Sequence, residues 1–186
     1  MKLIVLIIGL PGVGKSFLAK KVNKSTGFPY VSSDLIRAKL LEIRIDSKDQ
    51  DYTSDELENT YQKMAITTEE LLQENDGVIV EGVYRKHKHR LLIYKLKQKY
   101  PTVNILLFHI VCKEQETVQR IIKRKVDGTV SPAGENTYYK IKEEFEKPTK
   151  DENAIVINND SFSSDSYIRI MDIISQNNII NHGDLL

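Results

Sequence analysis

The apolar run Leu3–Ile8 leads without a break into Gly9-Leu10-Pro11-Gly12-Val13-Gly14-Lys15-Ser16, and a helix-forming stretch, Phe17–Val22, follows. The octad has the form GxxxxGK[ST], a loop that cradles phosphate groups when it joins a strand to a helix. Its glycines let the backbone turn tightly and aim N–H groups at phosphate oxygens. The positive end of the following helix dipole points to the same place. Lys15 can reach the β- and γ-phosphates, and Ser16 can offer its hydroxyl to Mg²⁺. The preceding run is far too short to span a membrane and reads as a buried strand, not a signal peptide.

A chain of 186 residues suits one domain, 1–186, with a full core. Its formal net charge of +1 creates no global field that demands a polyanionic partner. The single cysteine, Cys112, excludes an internal disulfide and fits a reducing, cytoplasmic setting. It lies in an apolar run and reads as a core thiol.

Five β-rich runs alternate with helical patterns: Lys2–Ile8, Tyr30–Ser32, Val78–Glu81, Ile105–Val111 and Ala154–Ile157. This predicts an α/β fold with a five-stranded parallel sheet and helices on both faces. The longest helix is expected from about Ser54 to Asn75, started by the capping box Thr53/Glu56. Its inward face would be Leu57, Tyr61, Met64, Ala65, Thr68, Leu71 and Leu72. Further helices are expected over His89–Lys99, over Glu114–Lys125 burying Val118, Ile121 and Ile122, and over Ser164–Gln176. Arg44–Asp51 reads as a polar loop near the entrance of a site. By analogy with phosphate-transfer folds, the segment of about 126–151 reads as an inserted lid. It carries a short amphipathic helix with Tyr138, Ile141 and Phe145 on one face.

Ser33-Asp34-Leu35-Ile36-Arg37 follows the second strand, at the carboxyl end of the sheet where ligands of open α/β folds bind. Asp34 and Arg37 share a helix face. A carboxylate there can deprotonate an acceptor hydroxyl, and a guanidinium can hold a phosphate. A local reading stays open, in which Asp34 or Ser33 caps the helix and Arg37 is solvated. Glu81 ends an apolar strand, the usual place for an acid that holds Mg²⁺ through water or positions a nucleophile. Arg120 and Arg124 lie one turn apart before the lid and could close over the phosphates, or form a solvated face beside Lys123 and Lys125. The basic run Arg85-Lys86-His87-Lys88-His89-Arg90 could bind nucleic acid or be a solvated surface. No aromatic residues interleave it, and its histidines lack partners at zinc spacing.

These residues resemble the AAA_33 family of predicted kinases, related to polynucleotide 5′-kinase domains and more distantly to zeta toxins and chloramphenicol phosphotransferases. Gly9–Ser16 resembles the family's GxPGxGKS loop, and Ser33–Arg37 is similar to its SDxxR element. Tyr52-Thr53-Ser54, Thr60-Tyr61 and Met64-Ala65 look like its central helix. Val78–Gly82 followed by Arg90 is similar to its strand, acid and downstream arginine. Cys112 with Arg120–Arg124 looks like its CxxxxxxxRxxxR run, and Ser131-Pro132-Ala133 with Phe145–Pro148 like its lid. Glu81 stands where an Asp is usual, and Pro132 where the lid usually has Asp.

The resemblance implies a P-loop kinase that uses ATP and Mg²⁺ to phosphorylate a hydroxyl. Asp34 would be the general base, Arg37 an acceptor or phosphate ligand, Arg120 and Arg124 the lid arginines, and Arg90 a further acceptor ligand. Gly9, Pro11, Gly12, Val13, Gly14, Lys15, Ser16 and Phe17 would line the nucleotide. Fold analogy puts the adenine between the Arg120 region and the loop Asn158–Ser161. Ser16 and Glu81 would hold the metal. The expected acceptor is a small metabolite, nucleoside or nucleotide. The alternatives are a polynucleotide 5′-hydroxyl, or a nucleotide-driven switch that moves a protein partner.

Overall fold

The computed structural model describes residues 2–41, 52–126, 134–160 and 164–179, without the side chains of 124–126 and 178–179. The strands are β1 (Lys2–Ile8), β2 (Tyr30–Ser32), β3 (Gly77–Gly82), β4 (Val103–Val111) and β5 (Ile155–Asn158). They form one parallel sheet in the order β2-β3-β1-β4-β5. The helices are α1 (Lys15–Thr26), α2 (Ser33–Leu40), α3 (Ser54–Glu74), α4 (His87–Lys99), α5 (Glu114–Val126), α6 (Glu135–Glu144) and α7 (Ser164–Ile179). The expected strands and helices are present, with boundaries moved by a few residues.

β1 is apolar throughout because both of its faces are covered. Successive side chains of a strand point to opposite faces. Leu3, Val5 and Ile7 therefore pack with Leu18, Ala19 and Val22 of α1 and Ile170 and Ile174 of α7. Ile4, Leu6 and Ile8 meet Tyr61, Met64 and Leu72 of α3 and Ile93 and Leu96 of α4. The Thr53/Glu56 capping box starts α3 with both reciprocal hydrogen bonds, 2.7 and 3.2 Å.

One burial expectation fails. Ile122 is 50% exposed, because α5 turns Thr117 and Ile121 inward against the phosphate loop and position 122 lies about 100° further round the helix. The loop expected over Arg44–Asp51 lies outside the described residues, as does the lid's Ser131-Pro132-Ala133. Among the described residues no helix is long and apolar enough to cross a membrane.

Candidate active site

The loop between β1 and α1 has its shape because side chains are missing from it. Gly9 has φ 145°, and a Cβ there would stand 2.4 Å from the Ile110 carbonyl of β4. Gly12 has φ 83°, and a Cβ would press into Thr117 and Ile121 of α5 at 2.8–2.9 Å. The loop is thus wedged between β4 and α5, with its turn conformation open only to glycine. Lys15 starts α1, is 7% exposed and donates from Nζ to the Leu10 carbonyl at 2.9 Å. Its ammonium is folded back over the loop where phosphates would lie.

Glu81 reaches the same place from β3. In the register, Ser32 of β2 and Ile7 of β1 are its neighbours. Parity along the strands puts Tyr30, Ser32, Ile79 and Glu81 on the face that carries α1. The Tyr30 hydroxyl donates to Glu81 Oε2 at 2.8 Å, Ser32 Oγ donates to the same oxygen at 3.4 Å, and Ser16 also hydrogen-bonds the carboxylate. Glu81 is 3% exposed, and burial pushes its pKa up despite the Lys15 charge and these donors. Burial and the Glu81 charge push the Tyr30 phenol far above its usual range, so it stays a donor. Among the described residues no group of three or more His, Cys, Asp or Glu side chains is gathered as a metal cage. The donor set nevertheless fits Mg²⁺ held with a nucleotide: one carboxylate and one hydroxyl, both hard oxygen ligands, beside a phosphate cradle.

Asp34 lies in the first turn of α2, one strand beyond Glu81. The Ser32 N-cap of that helix makes no side-chain capping bond. Arg37 is not solvated. It is 7% exposed, donates from Nη1 to Asp34 Oδ1 at 3.0 Å and stacks under the Tyr52 ring, 4.3 Å from Cζ to the ring centre. Behind this pair, Tyr61 accepts from the Tyr84 N–H at 3.0 Å and stacks on His89 at 4.3 Å.

On the other side of the loop, Arg120 of α5 donates through Nη2 to Glu116 at 3.1 Å and to the carbonyls of Asn159, at 2.9 Å, and Asp160. Asn159 is buried and donates from Nδ2 to the Val13 carbonyl at 2.8 Å. Arg120, the β5–α7 loop and the phosphate loop therefore form one contact group, where the adenine was expected. The Arg124 side chain and Ser161 lie outside the description.

Arg90 departs from its expected role as an acceptor ligand. It is fully buried and forms a two-pronged pair with Glu152, Nε to Oε1 at 2.6 Å and Nη2 to Oε2 at 2.9 Å. Its Nη1 donates to the carbonyls of Tyr84 and Glu146 at 3.0 and 2.9 Å. Its contacts are all internal, so it holds the segment after α6 against the β3–α4 loop. Most of the rest of the basic run is paired as well: Arg85 with Glu144, Lys86 with Glu146, His87 with Glu152, and Lys88 with Glu58. Burial drives His89 down to about 4, so it is neutral near pH 7.

The role of Tyr30 and the bond from Asn159, within the expected adenine loop, to Val13 were not anticipated from the sequence. Tyr30 could have been found from strand parity, since Ser32 and Tyr30 share a face. Asn159 carries no local signal, because its partner Val13 is distant in the chain.

The AAA_33 family, described as an AAA domain, matches residues 4–148. Among curated proteins none matches the sequence. A sugar kinase from Janibacter sp. HTCC2649 is similar in structure, with TM-score 0.66 and 19% identity over 85% of this chain and 86% of that one. A gluconokinase from Sinorhizobium meliloti 1021 gives TM-score 0.64 and 16% identity over 95% of each chain. The Mycobacterium tuberculosis APS kinase CysC, in complex with AMPPNP and APS, gives 0.64 and 15% over 94% of this chain and 98% of that one. At these identities the likeness establishes the fold.

Proposed function

The chain belongs to the AAA_33 family, and from that membership we propose that it is an ATP-dependent kinase that phosphorylates a hydroxyl of a small metabolite, nucleoside or nucleotide. The observation that carries this is the Asp34–Arg37 pair, held at 3.0 Å on one side of a phosphate loop whose Lys15 and Ser16 are grouped with a buried Glu81. A protein that only binds nucleotide has no need of an acid–guanidinium pair close enough to Glu81 to act on its charge. The similar folds of a sugar kinase, a gluconokinase and an APS kinase support a small acceptor.

In this reading the loop backbone and Lys15 hold the terminal phosphates of ATP. Asp34 takes the proton of the acceptor hydroxyl as that oxygen bonds to the γ-phosphorus of ATP and the bond from that phosphorus to the bridging oxygen breaks, releasing ADP, and Arg37 orients Asp34 and the acceptor. Arg120 and the Asn159 loop border the base. Ser16 and Glu81 would hold Mg²⁺, which supplies charge neutralisation on the β- and γ-phosphates.

A polynucleotide 5′-hydroxyl is the second acceptor. The pairing of residues 85–90 with glutamates speaks against it, because paired side chains offer little net charge to a phosphate backbone. A metabolite pool and an oligonucleotide pool, each incubated with γ-labelled ATP, test the reading. Label in a small molecule supports it, and label on oligonucleotide ends selects the second acceptor. ATP hydrolysis with no labelled product, stimulated by a protein partner, overturns the kinase reading in favour of a switch.

A further inference from the structure

Tyr30 sits on the edge strand β2, opposite Ile79 in the register, so Glu81 is its diagonal neighbour on the same face of the sheet. Diagonal pairs are separated by about 7–8 Å and meet only through long side chains. Tyr30 and Glu81 are long enough: the phenol donates to Oε2 at 2.8 Å. An Asp at 81 would end one C–C bond earlier, about 1.5 Å short of this contact. Ser32 supplies a weaker, 3.4 Å contact to the same oxygen. The phenol therefore fixes one carboxylate oxygen and sets the rotation of the whole group. Ser16, at the start of α1, meets the same carboxylate from the phosphate loop.

We propose that Tyr30 is a positioning residue that holds the Glu81 carboxylate in place for the magnesium–nucleotide complex, an inference that rests on the kinase reading above. In this arrangement Tyr30 acts through Glu81. An acid left to rotate has to be ordered each time the complex binds, and a fixed one is already in place. The longer acid and the tyrosine then form a matched pair, each useful because of the other.

The test is the binding of AMPPNP, a non-hydrolysable ATP analogue, measured by titration calorimetry with Mg²⁺ and again in EDTA. Tyr30→Phe removes one oxygen atom and keeps the ring. We expect its affinity in EDTA to stay within about twofold, while the gain in affinity due to Mg²⁺ falls about tenfold, the usual worth of a hydrogen bond to a charged group. Glu81→Asp should lose a similar amount, and Tyr30→Phe/Glu81→Asp little more than either alone, because both break the same contact. Equal weakening with and without Mg²⁺ would mark Tyr30 as merely packed, and strict additivity of the two substitutions would also overturn the inference. Glu81→Gln separates the two levels: if it keeps the Mg²⁺-dependent gain, the role given to Glu81 in the kinase reading fails, whereas loss there with no change in Tyr30→Phe sinks only the role of Tyr30. Should Tyr30→Phe not fold, 4-aminophenylalanine at position 30 keeps the shape with a weaker donor and is read by the same two titrations.

Discussion

Lys15 and Asp34 separate two jobs that a kinase site must do. Lys15→Ala removes the ammonium that bonds the Leu10 carbonyl and acts on Glu81 at the phosphate loop, outside the apolar core. We expect loss of phosphoryl transfer and weaker nucleotide binding with an unchanged circular dichroism spectrum; undiminished turnover in the folded variant would rule out the phosphate-loop assignment. Asp34→Asn keeps the hydrogen bond to Arg37 and removes the proton acceptor. Transfer to the true acceptor should fall about 10²–10⁴-fold while ATP affinity changes little. Full activity would reduce Asp34 to a structural partner of Arg37. The GxxxxGK[ST] spacing marks Lys15 directly, whereas the spacing of Asp34 and Arg37 leaves a helix cap open and the base role is what the family resemblance implies. The burial of Arg37 was not legible, since the Tyr52 ring that covers it comes from beyond α2.

At the scale of elements, the β3–α4 loop and the segment after α6 are tied by Arg90 and Glu152. Burial alone would raise the Glu152 pKa, but the Arg90 bonds, the Thr149 N–H and His87 outweigh it and hold it at about 2. A folded pKa below the unfolded one stabilises the protein above the ordinary carboxylate range, and that stability is lost as pH falls toward about 2. Arg90→Met would leave the buried Glu152 carboxylate without its charged two-pronged partner, with only the Thr149 N–H and His87 beside it, and should cost about 3 kcal/mol near pH 7. Denaturant unfolding should show the gap to wild type narrowing in acid; a gap that ignores pH would show that packing, not charge, is the cause. The same tie divides the proposed lid. Hydrogen exchange should slow in α6 when AMPPNP, Mg²⁺ and acceptor are all bound, while residues 146–152 stay unchanged. Identical protection of α6 with and without ligands would refute a moving lid. The basic run 85–90 left both a binding surface and a solvated one open because its glutamate partners lie on α3, at the end of α6 and beyond it, out of reach of any local pattern.

For the whole molecule, the nucleotide region joins β1, α1, α5 and the β5–α7 loop through contacts such as Asn159 to Val13. A ligand seated there restrains several elements at once. At a hundredfold excess over Kd, Mg²⁺–ATP should stabilise the fold by about 2.7 kcal/mol, raising Tm by roughly 5–10 °C for a chain of this size. Thermal unfolding followed by fluorescence measures this, and the shift should shrink in Lys15→Ala; the same shift in both proteins would place the nucleotide elsewhere. The sequence by itself determined the elements and the phosphate loop. Apolar alternation, capping residues and the GxxxxGK[ST] spacing act between near neighbours, so they are written in order along the chain. Only the tertiary structure decided which charges meet. Glu81 with Tyr30, Arg90 with Glu152 and Asn159 with Val13 are each far apart in sequence. Their pairing follows from strand order and register, through which the packing of the whole sheet selects the partners.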